Sequence, residues 1–383
     1  MTRLGKLPPY LFSAIDKARR EAVANGVDVV DLGIGDPDRP TPALLLQVLQ
    51  QAVADVTTHR YPANPGSDRF RTAVAEWLER RHEVTVDPAN QVLALIGSKE
   101  GLAHLPLALL DDGDEVLVPD LGYPVYTQAT ILAGGQPILY ALPAANGFLP
   151  ELDEIAGLIT DRTRLIYLNY PNNPTGATAS RELFREIVRL CAEYGVVVVN
   201  DAAYLEVTLA NERSPSLLQV AHPDQQRVLE FHSLSKMFNM TGWRVGFAVG
   251  HTDLIRDLGR VKESIDSGVF SAIQEVAVTA LSPEGDNLGS EVMAVYAPRR
   301  AKIVFALETA KIEVFDTSST FYIWARVPTT EDSLTFCGRI LSQHGVVMTP
   351  GVGFGPGGEG WFRISLTAPD ERIDTAVERL QRL

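Results

Sequence analysis

The alternation of short β-branched runs with helical stretches between residues 45 and 275 constrains the fold of this chain most strongly. Each run has the length of one strand, and the stretches between the runs are typical of helices that carry the chain back across a parallel sheet. The predicted strands are residues 92–96, 115–118, 165–169, 196–200, 228–231 and 245–249. Residues 196–199 are all valine, as expected of a central strand covered on both faces. The pattern predicts an α/β fold whose large domain has three αβα layers and a mainly parallel sheet.

The pattern changes after about residue 290, where helices and strands mix as in a smaller α+β domain. There we predict helices at 295–310, at 333–344 and from 369 onward, with strands at 312–315, 322–327 and 361–366. The first 45 residues contain one helix, at 14–24, and a loop rich in Gly, Pro and Asp, and they are too short to fold alone. We therefore predict a large domain at 46–289 and a small domain built from 1–45 and 290–383, with the active site between them.

The net charge of the chain excludes several classes of partner. Subtracting 48 Asp and Glu from 34 Lys and Arg gives −14, and no Lys/Arg-rich block interrupts this balance. Binding to nucleic acid or to an anionic lipid surface is therefore not expected. We find no secretory signal and no apolar run of about 20 residues, and we expect a cytoplasmic protein without a membrane span.

Cysteine and histidine usage gives no sign of a metal centre or a disulfide framework. The cysteines are Cys191 and Cys337, far apart in the sequence, and the seven histidines are scattered without metal-ligand spacing. We expect a reducing compartment and no metal.

Lys236 follows the predicted strand 228–231 and carries the first sign of covalent chemistry. Apolar residues flank it, so its ammonium should be partly desolvated and its pKa lowered, which would leave an amine able to attack an aldehyde. Ser233, Ser235 and Arg244 lie close by in sequence and suit a phosphate dianion. A lysine beside a phosphate site suggests pyridoxal phosphate. Spacing alone leaves open that these residues are solvated loop charges.

Two short patterns suggest other chemistry but lack their companions. Residues 233–236 match the S-x-x-K of penicillin-binding acyl-transfer enzymes, without the S-D-N and K-T-G elements. Residues 353–358 match G-x-G-x-x-G, but a strand follows the motif where a dinucleotide site needs a helix. We interpret the second as a glycine-rich loop.

Residues 97–100 (GSKE) follow the predicted strand 92–96 and open an apolar helix. Unpaired backbone N–H groups and the positive end of the helix dipole then coincide, which is the geometry of an anion site.

Together these motifs resemble the fold-type I pyridoxal-phosphate enzymes of the aspartate aminotransferase family. The resemblance is carried by S-x-x-K at 233–236, G-x-R-x-G at 242–246, YPNNPTG at 170–176 and NDAAY at 200–204. The resemblance covers essentially the whole chain, from KLPPY at 6–10 to WFR at 361–363, and the motifs occur in the same order as in the family. It implies pyridoxal 5′-phosphate as cofactor and amino transfer between an amino acid and a 2-oxo acid.

Position by position, the resemblance implies the catalytic residues. Lys236 would be the Schiff-base lysine, which also moves a proton between the substrate α-carbon and cofactor C4′. Asp201 would pair with the pyridinium nitrogen and keep it protonated. Tyr204 and Asn173 would hydrogen-bond the 3′ oxygen of the ring.

The resemblance also implies how the cofactor is held. Tyr123 would stack on the pyridine ring, and Tyr61 would reach the phosphate of the neighbouring subunit, which implies a homodimer with shared active sites. The residues assigned to the phosphate are Ser98, Lys99, Glu100, Ser233, Ser235 and Arg244.

Substrate binding is implied for three residues. Arg363 would grip the α-carboxylate with a bidentate fork, and the backbone of Gly35 would meet the same carboxylate, with Asn173 beside it. The segments that contain Gly35 and Arg363 are both expected to close over the substrate and exclude water.

Stretches at 33–38, 236–244, 265–274 and 349–360 look like the LL-diaminopimelate aminotransferase branch. That branch converts tetrahydrodipicolinate and glutamate to LL-diaminopimelate and 2-oxoglutarate in lysine biosynthesis. Lys99 and Glu100 are candidates for the distal groups of such a substrate. The alternatives are an aspartate or broad-specificity aminotransferase, a carbon–sulfur β-lyase, and a regulator with an aminotransferase-like domain. We expect no such regulator, because the resemblance begins within the first ten residues.

Overall fold

The computed structural model describes residues 2–8, 11–209 and 213–383, with backbone only for 11–14. The last two residues of the 6–10 motif, Pro9 and Tyr10, lie outside this range. No helix in the described part of the chain is long and apolar enough to span a bilayer. The helices are α1 (Leu11–Ala24), α2 (Ala43–Ala54), α3 (Asp68–His82), α4 (Ser98–Leu109), α5 (Val125–Ala133), α6 (Leu152–Leu158), α7 (Arg181–Glu193), α8 (Leu234–Met237), α9 (Thr252–Ile265), α10 (Ser271–Ala280), α11 (Pro283–Met293), α12 (Tyr296–Thr309), α13 (Ser333–His344) and α14 (Asp370–Leu380). The strands are β1 (Val30–Asp31), β2 (Val92–Leu95), β3 (Glu115–Pro119), β4 (Gln136–Tyr140), β5 (Thr163–Leu168), β6 (Val197–Asp201), β7 (Val228–Ser233), β8 (Gly246–Gly250), β9 (Tyr322–Arg326), β10 (Val346–Val347), β11 (Thr349–Pro350) and β12 (Trp361–Ser365).

A seven-stranded sheet in the order β2-β8-β7-β6-β5-β3-β4 forms the centre of the large domain. All pairs are parallel except those of β8, which runs antiparallel to both of its neighbours. The prediction of a mainly parallel sheet is confirmed, and each predicted strand of this region lies within two residues of an observed one. Strand β4 was not predicted. It is a partly exposed edge strand that contains Pro137, so it lacks the apolar run that marks the other strands.

Helices cover both faces of this sheet, and the strands divide their side chains between two cores. In β5, Ile166 and Leu168 pack with Phe184 of α7 on one face. The alternate residues Leu165 and Tyr167 belong to the other core, which includes helices α4 and α9. Alternation along a strand sends neighbouring side chains to opposite faces, so a strand buried on both faces must be apolar throughout. The predicted three-layer arrangement is confirmed.

The second group of strands forms a smaller antiparallel sheet in the order β11-β12-β9. The N-terminal segment joins it, because β1 pairs in parallel with β10, Val30 opposite Val346. The prediction of a strand at 312–315 was wrong. Phe315 N–H donates to the Trp324 carbonyl, but only Val314 forms a bridge, with Ala325, and the pairing does not extend into a ladder. The domain boundaries after residues 45 and 289 stay a prediction.

A buried arginine ties the N-terminal segment to the C-terminal helix. The guanidinium of Arg299, on α12, is 2% exposed and forms a fork with Asp38 through bonds of 2.7 and 3.0 Å. Its Nε donates to Asp370 of α14 at 2.7 Å, and Nη1 also donates to the Leu366 carbonyl. A buried charge is tolerated only with such partners, so this arginine holds three separate segments in register.

We expect Arg299→Met to lower the free energy of unfolding by about 3–5 kcal/mol, because Asp38 would be left as a largely buried carboxylate without its cation. The matched control is Arg339→Met. Its partner Glu331 and Arg339 itself are both about one-third exposed, so the loss should be below about 1 kcal/mol. Urea unfolding followed by circular dichroism measures both values, and equal losses would contradict the role assigned to Arg299.

Candidate active site

A cavity of about 330 Å³ lies where the carboxyl ends of β5, β6 and β7 meet α4 and the small sheet. Carboxyl ends of parallel strands are the usual ligand-binding edge of such sheets. The predicted site residues that line it are Gly35, Ser98, Lys99, Tyr123, Asn173, Asp201, Tyr204, Ser233, Ser235, Lys236, Arg244 and Arg363. Two other predicted site residues, Glu100 and Tyr61, do not line this cavity. A separate cavity of about 440 Å³, lined by Trp77 and Phe238 among others, contains none of these residues.

Lys236 reaches the cavity because β7 runs directly into the short helix α8. Ser233 ends the strand, and its hydroxyl accepts a hydrogen bond from the N–H of Ser235, which starts the turn. The Lys236 ammonium donates to the Gly35 carbonyl at 2.8 Å. Burial lowers the pKa of Lys236, against the raising effects of Tyr322 and Asp36, and the positive charges of Arg363 and Arg244 add to the lowering. The amine is therefore easier to deprotonate than an ordinary lysine, as a nucleophile requires.

Asp201 is a carboxylate buried at the end of β6. Its Oδ2 accepts a hydrogen bond of 2.8 Å from the Tyr126 hydroxyl, and its Oδ1 accepts one of 3.3 Å from the N–H of Ala203. Burial raises the pKa of Asp201 to about 6, against the lowering effect of these bonds and of the nearby His232. No lysine or arginine among the described residues pairs with this carboxylate, so the cavity offers a place for a positive group.

Arg363 stands on β12, the middle strand of the small sheet, and is 3% exposed. Its Nη1 donates to Asn173 Oδ1 and its Nη2 to the Gly33 carbonyl, each at 2.7 Å. Its Nε is buried without a hydrogen-bond partner among the described residues. Within the described part of the chain, no carboxylate pairs with this guanidinium at hydrogen-bond distance, which favours an anionic ligand.

The start of α4 and Arg244 together have the geometry that an anion site needs. Gly97 caps the helix with φ +78°, and a Cβ there would overlap the Arg244 guanidinium. Arg244 is held by hydrogen bonds to the Thr241 carbonyl at 2.8 Å and the Ile96 carbonyl at 3.3 Å. The first N–H groups of a helix have no partner within it, and their dipole attracts negative charge. Glycine at 97 therefore lets the cation approach the helix end closely, as a phosphate site needs.

Glu100 faces away from this anion site. Its Oε2 accepts from the N–H of Ile96 at 2.8 Å and pairs with the buried ammonium of Lys262 at 3.2 Å. Its Oε1 lies 3.0 Å from His104 Nδ1. The side chain holds the start of α4 in place and does not line the cavity. Tyr61 is 89% exposed and also lies outside the cavity.

Asn169, Tyr126 and Tyr322 are among the residues in or beside the cavity that were missed from the sequence. Asn169, which ends a predicted strand, donates to the Asp201 carbonyl and accepts from the N–H of Asn173, so its position was a usable signal. Tyr126 and Tyr322 gave no signal of their own. Their partners, Asp201 and Tyr204, are 75 and 118 residues away in the sequence.

Comparison with known proteins gives the family. The profile described as Aminotransferase class I and II matches residues 27–380. The LL-diaminopimelate aminotransferase of Aquifex aeolicus (strain VF5) is 45% identical over 382 residues, covering 100% of this chain and 98% of that protein. The enzyme of the same name from Nitratidesulfovibrio vulgaris (strain DP4) is 47% identical, with coverage of 100% and 98%. A single mutant of Thermus thermophilus aspartate aminotransferase superimposes with a TM-score of 0.93 at 27% identity, covering 100% of this chain and 98% of that one. The chain therefore belongs to the class I and II aminotransferase family and is a transaminase.

Proposed function

We propose that this transaminase uses pyridoxal 5′-phosphate and transfers an amino group between LL-diaminopimelate and 2-oxoglutarate. The main support for this proposal is the full-length identity of 45–47% to relatives named LL-diaminopimelate aminotransferase. The physiological direction would convert tetrahydrodipicolinate and glutamate, as in lysine biosynthesis.

The described residues fit the proposed cofactor. An anion site at the start of α4, a lysine whose pKa is lowered by burial and a buried carboxylate surround one cavity of about 330 Å³. These are the groups that a phosphate, an aldehyde and a pyridinium nitrogen require. When bound, the cofactor supplies an aldehyde and an electron-withdrawing ring.

Lys236 and Asp201 carry the proposed chemistry. Lys236 would hold the cofactor through its aldehyde carbon, the aldehyde oxygen leaving as water, and once freed by the substrate amine it would take the proton from the substrate α-carbon. Asp201, ionised at neutral pH, would bind the ring nitrogen and hold a proton on it. Tyr204 and Asn173, which line the cavity, would donate to the 3′ oxygen of the ring, and Tyr123 would stack on the ring.

Other cavity residues hold the two anionic ends of the bound molecules. We assign the phosphate to the helix end at Ser98 and Lys99, with Ser233, Ser235 and Arg244 around it. Arg363 binds the substrate α-carboxylate, with Asn173 and the backbone at Gly35 beside it. Glu100 supports the phosphate site indirectly, through Ile96 and Lys262.

The second candidate is an aspartate or broad-specificity aminotransferase. Structural similarity to aspartate aminotransferase, with a TM-score of 0.93, favours it. The identity of 27% to that enzyme is well below the identity to the diaminopimelate relatives, so we place it second.

We further propose a homodimer with shared active sites. The exposed side chain of Tyr61 and the apolar side chains of Val56, Ile265 and Phe270, exposed by 72%, 52% and 44%, belong to two neighbouring segments. The segments touch where Gly268 packs against Pro62. Exposed apolar groups in one region favour burial against a partner, and a second copy would bring Tyr61 to the other phosphate site.

Location and domain organisation complete the proposal. Cys191 and Cys337 are free and buried, which suits the reducing cytoplasm. We assign residues 46–289 to the cofactor-binding domain, and 1–45 with 290–383 to the domain that carries Arg363.

The substrate assignment is tested by steady-state assays with 2-oxoglutarate and either LL-diaminopimelate or aspartate. We expect kcat/KM for LL-diaminopimelate to exceed that for aspartate by at least about tenfold, since a site that pairs polar distal groups rejects ligands lacking them. Lys236→Ala is the control and should show no turnover with either. Aspartate turnover without diaminopimelate turnover would replace the first proposal by the second.

Cofactor affinity should depend on pH through Asp201. Only the ionised carboxylate pairs with the pyridinium, so the affinity should fall as pH drops through about 6. Tyr126→Phe removes a hydrogen bond that favours the ionised form, raises the pKa of Asp201 and moves this fall to higher pH by about one pH unit. Equilibrium dialysis between pH 5 and 8 measures the cofactor affinity of each protein. Tyr140→Phe is the control, because that hydroxyl donates to the Tyr167 carbonyl and not to Asp201. Coincident pH curves for Tyr126→Phe and the unaltered protein would refute the dependence.

Shared sites are tested by mixing two inactive or weakened proteins, Tyr61→Ala and Arg363→Ala. Random exchange of subunits makes about half of the dimers hybrid, each with one intact site, so activity should rise to about a quarter of the unaltered level. Each protein alone, taken through the same exchange, is the control. Activity that stays at the sum of the two separate proteins would mean that each site is built within one chain.

A further inference from the structure

Tyr322, the first residue of β9, is a buried tyrosine whose hydroxyl and ring contact different parts of the site. Its side chain lines the cavity, although the residue is only 2% exposed. Tyr322 has no place among the roles proposed above. A core position needs an apolar ring only, so a hydroxyl aimed at the site requires its own explanation.

The hydroxyl lies 2.7 Å from the hydroxyl of Tyr204, the residue assigned to the cofactor 3′ oxygen. Each phenol has one proton to donate. Tyr204 can give its proton to the ring oxygen only when Tyr322 is the donor between the two tyrosines. A phenol that accepts such a bond also becomes a better donor itself, because consecutive hydrogen bonds polarise one another.

The ring of Tyr322 lies under the guanidinium of Arg363. The distance from Arg363 Cζ to the ring centroid is 4.0 Å, and Phe354 lies 4.7 Å from the same Cζ. Two aromatic faces therefore fix the plane of the guanidinium, and a fixed plane is what a bidentate carboxylate contact needs.

Packing prevents Tyr322 from moving away from these partners. A Cβ at position 35 would overlap the Tyr322 hydroxyl, so this hydroxyl lies directly against the glycine backbone. The Gly35 carbonyl in turn accepts the hydrogen bond of Lys236. Tyr322 is thus held between the N-terminal segment, the end of β6 and β12.

We propose that Tyr322 is a positioning residue with two separable actions, which rest on the proposed function. Its hydroxyl directs the Tyr204 proton to the cofactor 3′ oxygen, and its ring orients Arg363 for the substrate α-carboxylate. Phenylalanine at 322 removes the first action and keeps the second, whereas leucine removes both.

The first action is tested by the pH titration of the absorbance of the bound cofactor. A hydrogen bond donated to the 3′ oxygen stabilises the form of the bound cofactor that has lost a proton, and so lowers the titration midpoint. We expect Tyr322→Phe to raise the titration midpoint by about half a pH unit. In a Tyr204→Phe background the same change should have no effect, because the hydroxyl acts only through Tyr204. An unchanged midpoint in Tyr322→Phe, or an equal shift in both backgrounds, overturns this action.

The second action is tested by the KM for glutamate in the half-reaction, followed by cofactor absorbance. We expect less than about a twofold change for Tyr322→Phe and an increase of about three- to tenfold for Tyr322→Leu. If leucine at 322 leaves KM unchanged, or if phenylalanine raises it as much, the ring does not orient Arg363.

Tyr296→Phe is the matched control, since Tyr296 is a buried tyrosine of the same core that packs on Phe321 and does not line the cavity. Tyr296→Phe should leave both the titration midpoint and the KM for glutamate unchanged. A midpoint shift equal to that of Tyr322→Phe would mean that loss of any hydroxyl from this core moves the midpoint, and it would overturn the first action. Failure of the proposed function is recognised separately. In that case the unaltered protein shows no cofactor absorbance that Lys236→Ala abolishes.

Discussion

The carboxylate of Asp201, buried at the end of β6, is the interaction on which the site depends. An unpaired buried charge costs several kcal/mol, so the surroundings either neutralise it or provide partners. Here the Tyr126 hydroxyl and the Ala203 N–H favour the ionised form, and burial still raises the pKa to about 6. The carboxylate is therefore ionised at neutral pH, and a positive group bound beside it would offset the cost of its burial.

A second constraint comes from the small sheet, which delivers Arg363 to the same cavity. Its guanidinium reaches across to Asn173, beyond the end of β5, and to the carbonyl of Gly33 in the N-terminal segment. Arg299 fixes that N-terminal segment to α14 from another direction. Buried arginines therefore join chain segments in a way that apolar residues cannot. Their donors satisfy backbone carbonyls at positions where three segments meet.

The parts of this protein that could be predicted from sequence are those with local signals. The strand at 196–200 is recognisable because its valines at 196–199 suit burial on both faces, and Lys236 because it directly follows another strand. Strand β4 was missed because an edge strand need not be apolar. Tyr126 and Tyr322 were missed because their chemistry comes from partners 75 and 118 residues away, and no local pattern distinguishes them from ordinary core tyrosines.

The net charge of −14 and the cationic cavity are compatible because electrostatic interactions in water are screened over about 8 Å. Within the cavity, burial lowers the pKa of Lys236 most, and the charges of Arg363 and Arg244 lower it further. A phosphate at Arg244 and a carboxylate at Arg363 would neutralise these two influences, so the lysine would gain proton affinity once both anions are bound. Burial and the two arginines make the amine easier to deprotonate, and the bound anions would then help it accept the α-carbon proton.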